Sequence, residues 1–140
     1  NGCRAWQRGS HGAPVQPEMF DYLFSADQAM GVLRGSFDSL SEVTFIGHSH
    51  LTISFEVQGN SVLPVIEKEL LCREAMKYVI TVGSVGQPRD RDPRTCCGTY
   101  DSETRQFAYH RLEYDILSQR RKILEAGLAS VFGDRLLVGI

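Results

Sequence analysis

The chain lacks the features by which several classes of protein are recognised. No apolar run among its 140 residues approaches the roughly 18 residues of a membrane span, and its start does not resemble a signal peptide. Its four cysteines form no Cys-x-x-Cys pair, which argues against a disulfide framework and a zinc ribbon. Free thiols suit a reducing compartment, so we expect a cytoplasmic protein with Cys72 and either Cys96 or Cys97 in its core.

The chain also lacks an excess of charge of either sign. With 15 basic and 17 acidic residues, its formal net charge is −2, which argues against general nucleic-acid binding and against binding to acidic membranes. The apolar content of 42% is ordinary for a globular domain. A phosphorylated ligand would therefore have to be attracted by local cations or metal ions and not by the surface as a whole.

Two histidines follow a short buried strand in the middle of the chain. The apolar run Val43–Ile46 predicts this strand, and Gly47 allows a tight turn after it. In an extended chain, His48 and His50 would point to the same side, with their Cα atoms roughly 6–7 Å apart. Such a pair suits one metal ion, or two ions about 3.5–4 Å apart. Two ordinary surface histidines are the alternative.

A long charged loop, residues 83–95, follows a second buried strand that is predicted over residues 77–82. The loop contains three arginines and two aspartates, together with Gly83 and Gly86. Glycines permit positive φ and close approach to a ligand, and the N–H groups of such loops form concavities that bind anions. Two interpretations stay open: a solvated turn with internal Arg–Asp pairs, and a loop that borders a metal centre.

Three motifs, in this order along the chain, resemble those of the calcineurin-like metallophosphoesterases. Residues 11–12 (His-Gly) resemble a motif that supplies one metal ligand, and residues 47–50 (Gly-His-Ser-His) resemble the family's last metal-binding motif. Residues 82–90 are similar to the Gly-Ser-Val-Gly-Gln-Pro-Arg loop of a bacterial and archaeal branch. The family's Asp-x-His, Gly-Asp-x-x-Asp and Gly-Asn-His-Asp/Glu motifs do not occur in the chain.

The resemblance implies the C-terminal portion of a metallophosphoesterase domain. We expect one partial domain over residues 1–140, with an irregular leader at residues 1–10. The family fold is of the α/β type, a mixed β-sandwich flanked by helices, of which this chain would form half. Such a half leaves an open sheet edge, so we expect an ordered chain to need a partner, such as the missing N-terminal half or a second copy, or a rebuilt core.

The resemblance also implies a chemistry. His11 and His48 would bind one divalent transition metal ion and His50 a second, from among Mn, Fe, Co, Ni and Zn, with Ser84 and Arg89 beside the substrate. The implied activity is that of a phosphatase or phosphodiesterase, in which a dinuclear centre activates water for in-line attack on a small-molecule or protein phosphoester. The bridging aspartate would come from the absent half, so the isolated chain is expected to be inactive.

Two other functions stay open. One is a metal-free binding or structural module descended from the enzymes, which is favoured by the missing motifs and by the few apolar residues before His11. The other is a mononuclear zinc protein that uses His11, His48 and His50.

The rest of the chain predicts ordinary elements of a mixed fold. The apolar cluster at residues 19–24 is expected in the core, with a lid over the site as the alternative, and His110 is expected to be structural or exposed. The predicted elements are a helix from a Ser25 cap to about Phe37, a hairpin of 51–57 with 61–66, a short helix or loop at 67–76, a hairpin of 96–100 with 105–114, a helix at 115–126 and a weakly helical tail.

Overall fold

The computed structural model describes residues 7–16, 19 and 21–140. Within these residues, the strands form one five-stranded and one three-stranded sheet. The strands are β1 (Gln7–Ser10), β2 (Val43–Ile46), β3 (Ser54–Gln58), β4 (Ser61–Val65), β5 (Glu69–Leu71), β6 (Lys77–Thr81), β7 (Thr95–Asp101) and β8 (Gln106–Leu112). The helices are α1 (Ala26–Leu33), α2 (Ile116–Glu125) and α3 (Ser130–Asp134), with short 3₁₀ turns at Phe37–Ser39 and Arg135–Leu137.

The five-stranded sheet has the order β1-β2-β6-β3-β4. The first three strands in this order are parallel, and Ile46 at the end of β2 lies opposite both Ser10 of β1 and Thr81 of β6. Strands β3 and β4 form the predicted hairpin, which pairs antiparallel with β6. Because parallel strands end at the same edge of a sheet, the segments that follow β1, β2 and β6 emerge side by side.

The alternating side chains of β6 serve two apolar cores. Val79 points into a core that is shared with α1, whereas Tyr78 and Ile80 point into a core that is shared with the three-stranded sheet. The second sheet has the order β5-β8-β7 and is antiparallel throughout. The result is a helix layer and two sheet layers, which confirms the predicted α/β sandwich.

Helix α1 begins as predicted and ends early. The Ser25 hydroxyl accepts a hydrogen bond from the Gln28 N–H at 3.3 Å, as expected for an N-cap. The helix ends at Leu33 and not near Phe37, because Gly35 adopts a positive φ of +79°. Helix α2 matches the predicted helix, with an Asp115 N-cap. Every helix in the described chain is too short or too polar to cross a lipid bilayer.

Three expectations about local structure were wrong. Residues 7–10 form the edge strand β1 and are not part of an irregular leader; residues 1–6 lie outside the described residues. Within the predicted helix or loop at 67–76, three residues form β5, because Leu70 pairs with Phe107 of β8 and packs into the core between the sheets. Of the described residues of the 19–24 cluster, only Leu23 is buried, and the others are exposed: Met19 by 64%, Tyr22 by 40% and Phe24 by 44%.

Candidate metal centre

The three sequence motifs meet at one edge of the five-stranded sheet. His11 follows β1 directly, and its carbonyl accepts a hydrogen bond from the Gly47 N–H at 3.1 Å. On the other side of β2, the Ile46 carbonyl accepts a hydrogen bond from the Val82 N–H at 2.9 Å. The parallel pairing therefore continues by one step beyond the strands and fixes His11 and the 83–95 loop on either side of residues 47–50, which we call the histidine turn.

The backbone of the histidine turn is not extended, so the expectation of an extended chain is wrong. The Ser49 N–H donates to the Gly47 carbonyl at 2.7 Å, which closes a three-residue turn around His48. His48 and His50 both adopt positive φ values, of +64° and +61°. A residue other than glycine in this region is strained by about 1–3 kcal/mol, and such strain clusters at functional sites.

The structure brings the rings of His11 and His48 together. His48 Nδ1 lies 3.0 Å from His11 Nε2, and the ring of Tyr22 stacks on His48 with a centroid distance of 3.9 Å. Two imidazole nitrogens on one metal ion, each about 2.1 Å from it, lie roughly 3.0–3.4 Å apart at bond angles of roughly 90–109°. The pair therefore fits two ligands of one ion. The same distance fits a hydrogen bond in which one ring donates to the other.

His50 is held separately from that pair. Its Nδ1 donates to the Gln87 carbonyl at 2.7 Å, and the His50 carbonyl accepts from the Arg89 N–H at 3.2 Å. This tautomer carries its proton on Nδ1 and keeps Nε2 as the basic nitrogen, as in most histidines that bind metal ions. Burial lowers the pKa of His50, the Gln87 hydrogen bond opposes this effect, and the positive charges of Arg89 and Arg135 add to it. The neutral imidazole is thus favoured.

The first half of the 83–95 loop fits tightly against the histidine turn. A Cβ at Gly83, whose φ is +77°, would lie 2.8 Å from Cys96, so only glycine fits there. The Gln87 N–H donates to the Ser84 hydroxyl at 3.0 Å, and the Arg89 guanidinium donates to the Gln87 side-chain oxygen at 3.1 and 2.7 Å. Ser84 therefore supports the loop, while Arg89 is fixed beside His50.

The second half of the loop is held by ion pairs. Asp90 accepts hydrogen bonds from Arg111 of β8 and from the Thr52 hydroxyl, the latter at 2.6 Å. Asp92 pairs with Arg94 at 2.6 Å. The sequence left two interpretations of this loop open, and the structure contains features of both: internal Arg–Asp pairing and contact with the candidate centre. No local pattern pointed to Arg111 or Thr52, because one lies in β8 and the other in the segment between β2 and β3, and only the fold brings them to the loop.

The structure does not bring the three histidines into one group. Across residues 7–16, 19 and 21–140, no set of three or more His, Cys, Asp or Glu side chains is arranged to hold a metal ion. A three-histidine zinc site is therefore not supported.

His110 lies on the exposed surface of the second sheet, 2.8 Å from the Thr99 hydroxyl, which confirms the prediction of a structural or surface histidine. Cys72 and Cys96 are buried, as expected, and Cys97 is exposed.

No protein-family model matches the chain. An uncharacterised protein of Methanocaldococcus jannaschii is 34% identical over 130 residues, which are 93% of this chain and 50% of that protein. The crystal structure of a metallophosphoesterase from Sphaerobacter thermophilus is similar with a TM-score of 0.77 and 27% identity, over 94% of this chain and 55% of that one.

A second solved structure supports the fold alone. The crystal structure of a hypothetical protein from Pyrococcus horikoshii is similar with a TM-score of 0.63 and 18% identity, over 94% of this chain and 46% of that chain. The chain thus spans about half the length of the relatives that it matches.

Proposed function

Because this chain has the fold of part of a metallophosphoesterase, as its motifs predicted and consistent with the C-terminal half, we propose that it supplies one side of the metal centre of a phosphoester hydrolase. The observation that carries the proposal is the 3.0 Å approach of His11 Nε2 to His48 Nδ1 at the ends of two parallel strands. In this fold type, ligands bind at the carboxyl ends of parallel strands.

Each residue of the proposed centre would have its own role. His11 and His48 would bind one divalent metal ion and His50 a second, with carboxylates of the missing half completing the site. Bound ions of this kind lower the pKa of water and offset the charge of a phosphoryl group. In this chain, Tyr22 supports the His48 ring, the Gln87 carbonyl fixes the tautomer of His50, and Arg89 supplies positive charge.

The complete enzyme would need a second segment, which corresponds to the half of the relatives that this chain does not match. Strand β1 is the edge of the five-stranded sheet, and its residues are exposed or half-exposed. We infer that the missing half, or a second copy, covers this edge, since an exposed parallel edge strand invites pairing. The substrate would be a small-molecule or protein phosphoester, and the cytoplasmic location inferred from the thiols remains a prediction.

The test is metal analysis of the purified chain after incubation with Mn²⁺ or Zn²⁺. The wild type should retain the ion. Loss of a residue that only hydrogen-bonds to a metal ligand weakens metal affinity by about 10–100-fold, so His48→Ala, which removes a ligand itself, should weaken it by more. His110→Ala is the matched control and should bind as the wild type does. Equal binding by His48→Ala would contradict the assignment.

A metal-free binding or structural module is the second candidate. It is favoured by the absence, among the described residues, of any group of three metal-binding side chains. In that case neither the wild type nor the variants would retain a transition metal ion stoichiometrically, while the fold would be unchanged.

A further inference from the structure

Two exposed aromatic rings lie beside the candidate centre. Among the phenylalanines and tyrosines of the described residues, three are exposed: Tyr22, Phe24 and Phe132. Phe132 lies on α3. Tyr22 and Phe24, which we call the aromatic pair, lie next to the histidine turn, where the Tyr22 ring stacks on His48. Exposed apolar surface rimmed by polar residues marks interaction and ligand-binding sites, so we expect the aromatic pair to have a binding role.

The fold holds the aromatic pair outside the core. Leu23, between its two members, is buried in the core that α1 shares with the five-stranded sheet. The Ala13 N–H donates to the Asp21 carbonyl at 3.0 Å, and the Phe24 N–H donates to the Gln28 side-chain oxygen at 2.8 Å. Because the segment is tied on both sides of Leu23, its two outward rings are fixed in place.

The aromatic pair continues a stack that begins at His48. The Tyr22 and His48 rings are 3.9 Å apart between centroids with an interplanar angle of 21°, and the Phe24 and Tyr22 rings are 4.6 Å apart with an angle of 15°. Since one face of a ring accommodates one nearly parallel neighbour, Tyr22 lies between His48 and Phe24. The outer end of the stack is therefore the Phe24 ring, one ring removed from a candidate metal ligand.

The position of the stack favours a small aromatic group as its occupant. A catalytic metal centre has to keep a position open for water and substrate, and a protein segment lying against the ring that supports His48 would close this space. An aromatic group of the substrate itself would not. Aromatic side chains bind such groups by stacking, and every nucleobase has a face that permits it.

We propose that the aromatic pair binds the base of a nucleoside phosphoester whose phosphoryl group lies at the candidate metal centre. The proposal rests on the proposed function, because that function brings the phosphoryl group to the histidines. The ring at the open end of the stack is Phe24, so the aromatic group has to be separated from the phosphorus by a spacer. Ribose is such a spacer, whereas in phenyl phosphate the ring and the phosphorus share one oxygen.

The test is calorimetric binding of adenosine monophosphate, and of ribose 5-phosphate, which lacks the base, to the full chain, once with Mn²⁺ and once with EDTA. Phe24→Leu removes the ring and keeps an apolar side chain, and Phe24→Trp keeps an aromatic face. The matched control is Phe132→Leu, since Phe132 is exposed by 45% and Phe24 by 44%.

We expect the wild type, the control and Phe24→Trp to bind adenosine monophosphate about 10-fold more tightly than ribose 5-phosphate, because the base stacks on the ring. Phe24→Leu should lose most of this preference and bind ribose 5-phosphate as the wild type does. Bound manganese should be the same in all variants, because it is Tyr22 whose ring stacks on His48.

Equal or absent binding of the two compounds by the wild type would overturn the proposal and would assign the aromatic pair to contact with the missing half. An unchanged preference in Phe24→Leu, or its loss in Phe24→Trp as well, would also overturn it. Phenyl phosphate and methyl phosphate test the spacer, and a preference for phenyl phosphate that depends on Phe24 would contradict a nucleoside phosphoester. Failure of the proposed function is seen separately, as absence of bound manganese, and the EDTA arm then still decides whether the aromatic pair binds the base.

Discussion

The two sheets differ in the residues that follow the ends of their strands. In the three-stranded sheet, β7 and β8 pair without interruption from Thr95 opposite Leu112 to Asp101 opposite Gln106. In the five-stranded sheet, three parallel strands end at one edge, and the residues that follow include His48 and His50 in the left-handed region of φ. We call the three-stranded sheet the regular sheet; its long β7–β8 pairing stabilises the fold, and its hairpin turn also contains a positive φ, of +58° at Arg105. The candidate metal-binding side chains, in contrast, follow the ends of the parallel strands of the five-stranded sheet.

The regular sheet nevertheless supports the other one. Phe107 and Tyr109 of β8 pack against Tyr78 and Ile80 of β6 in the core between the sheets. The Tyr109 hydroxyl donates to the carbonyl of Thr81, the last residue of β6, at 2.8 Å. We can therefore test whether the three-stranded sheet mainly stabilises the fold and the five-stranded sheet mainly carries the metal site. The test is to substitute a residue in each sheet and to measure both the free energy of unfolding and metal binding.

The largest effect is expected from Phe107→Ala in the regular sheet. Phe107 is only 2% exposed and meets the Tyr109 ring edge-on at a centroid distance of 4.7 Å. Its truncation should lower the free energy of unfolding by about 3–5 kcal/mol, as measured by urea denaturation, and Phe107→Leu should lower it less. Metal bound per folded molecule should not change. Loss of metal binding by a variant that is still folded would show that the roles of the two sheets are not separable.

A smaller effect of opposite sign is expected from His48→Gly. Glycine removes strain of about 1–3 kcal/mol at a positive φ, and about 1 kcal/mol of this gain is offset by the greater entropy of the unfolded chain. We therefore expect a net rise of roughly 1 kcal/mol in the free energy of unfolding, together with loss of metal binding.

Ala75→Gly is the control for that experiment, because Ala75 is exposed and has a φ of +63°. It should stabilise the chain similarly and leave metal binding intact. If His48→Gly is instead less stable than the wild type, then the contacts of the His48 ring with His11 and Tyr22 stabilise the fold by more than the positive φ of His48 costs. In that case the candidate site would also contribute to stability, as the three-stranded sheet does.

Sequence patterns predicted the parts of the fold that local periodicity determines. The buried strands β2 and β6 and both hairpins were correct, because alternating or continuous apolar residues bounded by turns specify them. Strand β5 was missed, since the three residues Glu69–Leu71 form a strand only through pairing with β8. Nor does any local pattern predict a left-handed backbone at a histidine.

The residues of the candidate site could not be predicted from local periodicity. His11 was selected by the resemblance of its motif, while its surroundings suggested an irregular leader, and its approach to His48 follows from a parallel pairing that no short window of sequence contains. Tyr22 was assigned to an apolar cluster, although it stacks on His48.

The smallest effect concerns Asp92, which lies where the 83–95 loop meets the regular sheet. Hydrogen bonds from Arg94, aided by the charge of Arg111 of β8, lower the pKa of Asp92 from the ordinary 3.8 to about 2. Between these two values the unfolded chain binds a proton that the folded chain does not. The stabilisation is therefore fully present above about pH 4 and is lost as the pH falls through about 2.

Asp92→Asn should remove this pH-dependent stabilisation. Its magnitude should stay below about 1 kcal/mol, because the Arg94 side chain is 48% exposed. Urea denaturation at pH 7 and at pH 3 should show a gap between wild type and Asp92→Asn that narrows at the lower pH. Asp38→Asn, which changes an exposed carboxylate without an ion pair in the described chain, should show no such narrowing. A constant gap would mean that the pKa of Asp92 is not lowered in the folded chain.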